Sequence, residues 1–354
     1  MLYAVIMAGG MGKRFWPESR ASRPKQLLSL GRRRPMVEET LDRIAPLIPP
    51  ERILVLTNAE YLEVVRQLLS EVPEENIIGE PASRDTAACI GLAAALLVKR
   101  DAGAVMAVMP SDHLIDPQEL FCQSLEAASE CVSRHPEMLV TFGIEPTMPA
   151  TGYGYIQRGD EVFQSPGVTF FRARKFHEKP RLDVAEGFLE EGGYLWNAGI
   201  FVWRAAAILE QIERFLPKLH VKLGMLAEKA GDVGFDEYLA EIYPTLPKIS
   251  IDFGVMEKAE HCAVAAVSYR WDDLGSWRAL GRHLEADGEG NRVRGGFVGH
   301  EASDLIVSAR GGIVAAIGVK DLIIVHTPDA TLVCRKEDAE KVKAIVERLD
   351  DEYL

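Results

Sequence analysis

Residues 2–14 read LYAVIMAGGMGKR, an apolar run that passes directly into three glycines and two basic residues. The apolar run predicts a buried strand over Leu2 to Ala8. Glycines after a strand let backbone N–H groups turn inward and approach a phosphate closely. The loop is not a P-loop, because Arg14 follows Lys13, and it does not match the G-x-G-x-x-G fingerprint. Taken alone, it fits a tight turn as well as a phosphate site.

Short apolar runs and longer amphipathic runs alternate after this loop. Such an order predicts an α/β fold, a Rossmann-like mixed and mostly parallel sheet flanked by helices. Ligands bind beyond the carboxyl ends of such strands, so we expect the loops after Ala8 and Met109 to lie together. The further strands are predicted at Arg52 to Thr57, Ala104 to Met109 and Met138 to Phe142, and the helices at Val37 to Ile48, Glu60 to Val72, Thr86 to Lys99 and Pro117 to Ser133.

The pattern changes twice further along the chain. From Thr151 to about Tyr269, strand-like pieces alternate with helices, which we interpret as an insertion or extension that forms one wall of a cleft. After the turn-rich residues 287–291, short β-rich runs recur and end in a charged helix from Lys336 to Leu349. We therefore predict a first domain over residues 1–288 and a small β-rich domain over 289–354. The spacing of its strands fits a short β-helix or an antiparallel sheet.

Composition excludes several classes of protein. The 354 residues are 47% hydrophobic and 26% charged, ordinary values for a globular protein of about two domains. A formal net charge of −13 disfavours nucleic acid as a partner. No apolar run reaches the roughly 20 residues of a membrane span, so no membrane partner is expected. Five widely spaced cysteines without a C-x-x-C pair predict free thiols in the cytoplasm.

Positive charge is concentrated beside the glycine loop. Residues 13–34 contain eight lysines and arginines and one acid, Glu18, which gives a local charge of 8 − 1 = +7. Fixed cations beside backbone amides are what a polyphosphate requires. We expect Arg14 to bind two phosphate oxygens at once and Lys25 to act as a compact charge. Residues 32–34 are expected to be a solvated basic face.

The loop also carries a family resemblance. Gly9-Gly10-x-Gly12-x-Arg14 followed by Pro24-Lys25-Gln26 resembles the signature of the sugar-nucleotide pyrophosphorylases, which join a nucleoside triphosphate to a sugar 1-phosphate. Trp16-Pro17 and Ser19-Arg20 between its ends are similar to the mannose-1-phosphate guanylyltransferase branch. The match continues in order through PSDH at 110–113, TGYGYI at 151–156, EKP at 178–180, WNAGIF at 196–201 and WDDLGSW at 271–277.

The resemblance implies a metal site made by two aspartates. Asp112 follows a predicted strand and Asp273 lies in a tight turn, and two carboxylates can hold one Mg²⁺. From the residues alone, Asp112 could equally cap a helix and Asp273 could simply form the turn. Asp272 is the competing ligand. The resemblance favours Asp273, because the metal aspartate of the family precedes the small turn closed by glycine.

The implied reaction transfers GMP from GTP to mannose 1-phosphate and releases pyrophosphate. A sugar-phosphate oxygen would attack the α-phosphorus in line with the leaving group, with Arg14, Lys25 and Asp112 as catalytic residues. At positions 85 and 88, Asp85 and Ala88 replace the asparagine and proline usual in the branch, and a carboxylate can still accept from guanine. The implied nucleotide-binding residues are Gly9, Gly10, Gly12, Arg14, Lys25, Arg84, Asp85, Thr86 and Ser111.

A second group of motifs is implied to bind the sugar phosphate. Lys179 would supply a cation to its phosphate, Glu178 would accept from sugar hydroxyls, and Asn197 would also contact hydroxyls. Without the resemblance, Glu178 and Lys179 would be interpreted as a surface ion pair. The full implied set is Gly152, Tyr153, Gly154, Glu178, Lys179, Asn197 and Gly199.

Other functions remain open at this point. Heptose or glucose 1-phosphate could replace mannose 1-phosphate, and a nucleotide-sugar glycosyltransferase could share the sheet and a metal aspartate. A glycosyltransferase usually shows a D-x-D pair, which Ser111-Asp112 does not provide. An inactive regulatory subunit typically lacks a phosphate cation or a metal carboxylate, and this chain keeps both kinds. The small β-rich domain predicts an interface between subunits, and we expect a homodimer.

Overall fold

A mixed nine-stranded sheet dominates the computed structural model, which describes all 354 residues. Its strand order is β3-β2-β1-β4-β9-β6-β10-β8-β7. These strands are β1 Leu2–Ala8, β2 Ile53–Asn58, β3 Ile77–Glu80, β4 Val105–Pro110, β6 Leu139–Ile144, β7 Tyr155–Ser165, β8 Val168–His177, β9 Tyr194–Arg204 and β10 Cys262–Val267, and a separate two-stranded sheet pairs β5 Leu114–Asp116 with β11 Arg270–Asp272.

Ten α-helices accompany the strands. The predicted fold class, a sheet flanked by helices with a small β-rich part at the C-terminal end, is confirmed. None of the helices combines the length and hydropathy of a membrane span. The helices are α1 Met36–Ile44, α2 Leu62–Leu68, α3 Asp85–Arg100, α4 Gln118–Arg134, α5 Leu182–Glu191, α6 Ala205–Phe215, α7 Pro217–Lys229, α8 Phe235–Ile242, α9 Trp277–Gly281 and α10 Val342–Val346.

Backbone contacts group the chain into two units. The first unit comprises Met1–Gly9, Leu41–Pro110 and Ile115–Trp271, and the second comprises Gly10–Thr40, Ser111–Leu114 and Asp272–Leu354. This grouping follows packing rather than chain order. The predicted domain boundary after residue 288 therefore stays a prediction.

Within the first unit, the strand ends fix where the loops begin. β1 pairs in parallel with β2 and β4, and Met7 lies opposite Pro110, so β1 and β4 end at the same edge. β9 runs antiparallel between β4 and β6. β7, β8, β9 and β10 are strands of the main sheet, so residues 151–269 extend this sheet and are not an insertion separate from it. Helices α3, α6 and α7 pack into a large apolar cluster around Trp203, Leu223 and Tyr243.

The second unit contains a four-stranded sheet near the end of the chain. Its first three strands are parallel and the last pair is antiparallel, so the antiparallel alternative is wrong for most of it, and the β-helix alternative fits better. The predicted terminal helix is shorter, a 3₁₀ turn followed by α10. Its strands are β12 Arg292–His300, β13 Ile306–Ile317, β14 Leu322–His326 and β15 Thr331–Arg335.

The core of the second unit explains why the glycine loop belongs to it. Phe15, Trp16 and Leu28 are buried in one apolar cluster with Trp277 and with apolar residues of β13, β14 and β15. Burial of large aromatic side chains is among the strongest contributions to packing. The loop after β1 is thus built on the C-terminal strands.

Candidate active site

Gly12 is required by its packing in the loop. Its φ of +61° is left-handed, and a Cβ built on it would lie 2.2 Å from Cβ of Lys25. No side chain fits at that distance, so glycine allows the loop to lie directly against Lys25. The Oγ of Ser19 donates to the carbonyl of Gly12 at 2.9 Å and holds this geometry.

Gly12→Ala is therefore expected to displace Lys25. The added methyl group must push the two segments apart, and a displacement of about 1 Å can lower activity by about 100-fold. Pyrophosphate release measured against Gly288→Ala provides the comparison, because Gly288 belongs to the same unit, lies outside the predicted site, and a Cβ there would meet no atom within 4 Å. Equal losses in the two variants would contradict this account of Gly12.

Lys25 joins three distant parts of the sequence. It is 5% exposed, and its Nζ donates to Oδ2 of Asp112 at 2.7 Å and to the carbonyl of Asp273 at 2.6 Å. Burial raises the pKa of Asp112, but the charges of Lys25 and His113 outweigh it and hold the pKa below its usual value. The structure thus brings the predicted cation to the carboxylate of Asp112 and to the backbone of Asp273.

The neighbouring aspartates of the turn have different roles. Asp272 is buried, with 4% of its surface exposed. Its carboxylate accepts from the Leu274 amide and from Arg282 Nη2, each at 2.8 Å, and it contacts His283 Nε2 at 2.8 Å. Asp273 instead accepts from the Gly275 amide at 3.1 Å. Asp272 therefore stabilises the turn, and Asp273 is the better candidate for a metal ligand.

Arg14 lies in the same unit with its side chain about half exposed. Its Nε pairs with Oε2 of Glu340 at 2.9 Å, and Nη1 points to the carbonyl of Gly275 at 3.5 Å. Nε and Nη1 of Arg14 thus contact Glu340 and Gly275 of the same unit. The backbone of Ser111, another predicted nucleotide-binding residue, is held in place by Thr40, whose hydroxyl donates to the Ser111 carbonyl at 3.1 Å.

The predicted base-binding residues begin α3 in the first unit. Asp85 has a φ of +64°, a conformation that Asp and Asn tolerate better than other side chains, and its Oδ1 accepts from the Thr86 amide at 2.8 Å. The hydroxyl of Thr86 accepts from the Ile251 amide at 2.8 Å. Arg84 donates through Nη2 to the carbonyl of Pro244. Arg84 and Thr86 are thus held against residues 244–251, whereas Asp85 is held by the amide of its neighbour Thr86.

Glu80, a buried carboxyl at the end of β3, is not among the residues predicted from the sequence. Tyr243 donates its hydroxyl to Oε1 of Glu80, and Oε2 lies 3.0 Å from a Cβ built on Gly9. Burial raises the pKa of Glu80 to about 7. An acid directly after the apolar residues 77–79 was the available signal, but β3 has only four residues and was not predicted.

Glu80 is expected to make stability depend on pH. Its pKa rises from 4.5 in the unfolded chain to about 7 in the folded one, so folding binds a proton between these values. The free energy of unfolding should therefore fall as pH rises through this window, by up to about 3 kcal/mol relative to Glu80→Gln. Denaturant unfolding of both proteins at about pH 5 and about pH 8 measures this difference. If the free energy of unfolding of wild type minus that of Glu80→Gln stayed constant or increased from about pH 5 to about pH 8, the assignment of a raised pKa to Glu80 would be contradicted.

The predicted sugar-binding residues form a second polar cluster in the first unit. Asn197 accepts through Oδ1 from the hydroxyl of Thr141 at 3.0 Å and from the Gly199 amide at 3.1 Å. Its Nδ2 donates to Oδ1 of Asp252 at 2.8 Å. Burial raises the pKa of Asp252 to about 6. The sequence analysis missed Asp252, whose environment depends on the tertiary fold.

Glu178 approaches the same cluster through Gly154. A Cβ on Gly154 would lie 2.7 Å from Oε2 of Glu178, so glycine permits the contact, and the Gly154 carbonyl accepts from the Asn197 amide at 2.8 Å. Glu178 pairs with Lys179 at 2.5 Å, and the Lys179 side chain is 62% exposed. The structure thus brings together Gly154, Glu178, Lys179, Asn197 and Gly199.

The two remaining predicted residues differ in their surroundings. Tyr153 packs edge-on against Trp196 and Trp271, with ring centroids 5.0 and 5.1 Å away. A Cβ on Gly152 would meet no atom within 4 Å, so packing does not require glycine there. No group of three or more His, Cys, Asp or Glu side chains is arranged to hold a metal ion.

Comparison with protein families defines the class. The model described as nucleotidyl transferase matches residues 3–289, and the one described as MannoseP isomerase/GMP-like beta-helix domain matches residues 295–349. The chain is a nucleotidyl transferase with a C-terminal β-helix domain. Nucleotidyl transferases generally use a divalent metal ion.

Individual relatives define the family more closely. A mannose-1-phosphate guanylyltransferase of Salmonella montevideo is 37% identical over 99% of this chain and 74% of its own length, and one of Escherichia coli K12 is 35% identical over 98% and 73%. A solved Thermus thermophilus structure, described as a mannose-1-phosphate geranyltransferase, superposes with a TM-score of 0.88 at 37% identity over 98% of both chains. The chain belongs to the mannose-1-phosphate guanylyltransferase family, as its motifs predicted.

Proposed function

We propose that this protein transfers GMP from GTP to mannose 1-phosphate and releases pyrophosphate. The observation that carries the proposal is the convergence of Asp112 and Asp273 on the buried ammonium of Lys25. A cation held by two acidic segments beside a glycine loop suits a polyphosphate with a bound metal ion. Family membership supplies the guanine and mannose assignments.

The residues present fit Mg²⁺. Magnesium prefers oxygen ligands and is usually bound by one or two carboxylates together with substrate phosphates. Asp112 and Asp273 would hold it, whereas the Asp272 carboxylate is occupied by Arg282 and His283. When bound, Mg²⁺ supplies a Lewis acid that offsets phosphate charge.

Lys25 and Arg14 would mainly offset the negative charge of the phosphates. The attacking sugar-phosphate oxygen is already an anion, so no strong general base is required. An ammonium has three N–H donors, and two of those on Lys25 are used by Asp112 and Asp273, so the third would be the donor to a phosphate oxygen. Arg14 can bind oxygens through its Nη groups. Both cations would stabilise the charge that develops on the α-phosphate.

The first unit would bind the base and the sugar. Asp85, with one oxygen held by the Thr86 amide, would accept from the N–H groups of guanine. Asn197 is held in one orientation by Thr141, Gly199 and Asp252, so its amide presents a fixed pattern to sugar hydroxyls. The exposed Lys179 would pair with the sugar phosphate.

Pyrophosphate release with four nucleoside triphosphates against mannose, glucose and heptose 1-phosphates tests the proposal. We expect the highest kcat/KM for GTP with mannose 1-phosphate. A higher value for another pair would reassign the substrate, and transfer of sugar from a nucleotide sugar without pyrophosphate release would indicate a glycosyltransferase. The mass of the same preparation in solution tests the predicted homodimer.

A further inference from the structure

An ion pair between the buried carboxylate of Glu18 and the partly exposed Arg294 links the glycine loop to the C-terminal sheet within the second unit. Glu18 follows the loop and is 6% exposed. Its Oε1 accepts from Nη2 of Arg294 on β12 and from the hydroxyl of Ser308 on β13, the latter at 2.6 Å. Arg294 also donates to Ser308 Oγ through Nε at 3.1 Å and Nη2 at 2.8 Å. The three side chains form a closed network.

The network is connected to Lys25 by short contacts. The amides of Glu18 and Ser19 both donate to the carbonyl of Phe15, at 2.9 and 3.0 Å, so Glu18 is fixed to the loop backbone. Ser19 in turn donates to the carbonyl of Gly12, which lies directly against Lys25. A shift of Glu18 must therefore move the loop that faces Lys25.

We propose that Arg294 is a positioning residue for nucleotidyl transfer. Through Glu18 it holds the loop 10–20 and Lys25 in the geometry that binds the triphosphate. This inference rests on the proposed function. On this proposal the C-terminal sheet supports the phosphate site, and Arg294 acts through Glu18 rather than through contact with a substrate.

A stabilising role alone is a weaker explanation of the network. Taking charges out of water costs much of what their attraction returns, so a buried ion pair by itself adds little to stability. Arg294 also uses two nitrogens for two partners, which lysine cannot reproduce with the same planar geometry. The hydrogen bonds of Arg294 therefore fix the orientation of the Glu18 carboxylate as well as balancing its charge.

Arg294→Lys tests the proposal while keeping the positive charge. We expect a folded protein whose kcat/KM for GTP falls by about 10- to 100-fold, with the KM for mannose 1-phosphate unchanged. Amide hydrogen exchange should become faster over residues 10–20. The matched control is Arg335→Met, since Arg335 belongs to the same unit and its pair with Glu337 is exposed on both sides.

A second variant covers the case in which Arg294→Lys does not fold. Glu18→Gln combined with Arg294→Gln removes both charges together and leaves no unpaired buried ion. The same changes in GTP kinetics and in exchange over 10–20 are expected. A folded variant with wild-type kinetics and exchange would overturn the proposal. Lack of turnover in the wild type would contradict the proposed function instead, and exchange would still test the loop contact.

Discussion

Lys25→Ala is expected to lower kcat/KM for pyrophosphate release by about 1,000-fold or more. Removal of one donor that stabilises developing negative charge costs about 100- to 1,000-fold, and this variant also leaves the Asp112 carboxylate and the Asp273 carbonyl without their shared donor. The two acidic segments would then repel the triphosphate.

The measurement is steady-state release of pyrophosphate from GTP, with thermal unfolding as the check on folding. Lys320→Ala is the matched control, because Lys320 belongs to the same unit and its side chain is 64% exposed. We expect wild-type activity from this control. A folded Lys25→Ala protein with activity within a few-fold of wild type would show that Lys25 is not the phosphate cation.

Asp273→Asn is expected to abolish metal-dependent turnover and leave the fold unchanged. The carboxylate accepts from the Gly275 amide of its own turn, and asparagine can accept the same hydrogen bond. What is lost is the negative charge that a magnesium ligand must supply. Activity measured against Mg²⁺ concentration should show a large shift or no saturation.

Asp272→Asn provides the contrast at the adjacent position. Its carboxylate is buried against Arg282 and His283, so we expect a loss of stability of about 1–3 kcal/mol. At a temperature where the protein remains folded, its dependence on Mg²⁺ should match wild type. If Asp272→Asn changed the metal dependence and Asp273→Asn did not, the assignment of the two aspartates would be reversed.

The sequence predicted the local elements of the fold better than their arrangement. The apolar runs that became β1, β2 and β4 were clear, because a buried parallel strand is apolar throughout. The position of β9 between β4 and β6 could not be predicted from local sequence. β9 runs antiparallel to both strands, and this arrangement depends on pairing between distant segments. It is this pairing that makes residues 151–269 part of the main sheet.

The site divides in the same way. Arg14, Lys25, Asp112 and Asp273 came from motifs, and the structure places Asp112 and the Asp273 backbone on Lys25. The buried Glu80 and Asp252 carry no motif, because their raised pKa values come from burial by residues far away in the chain.

The attachment of the glycine loop to the C-terminal sheet could not be predicted from the sequence either. Glu18 was noticed only as the single acid in a basic segment. Its two partners lie 276 and 290 residues away. Local patterns contain no information about such a contact, so it emerged only from the packing of Phe15 and Trp16 beside the C-terminal strands.

Anomalous diffraction from crystals grown with Mn²⁺ and GTP tests the central claim most directly. Mn²⁺ shares the preference of Mg²⁺ for oxygen ligands and can be located by its anomalous signal. The account predicts a peak bound by the carboxylates of Asp112 and Asp273, with the triphosphate on Lys25 and the loop from Gly9 to Arg14. A peak held by other carboxylates, such as Glu178 and Asp252, with Lys25 away from the phosphates, would contradict it.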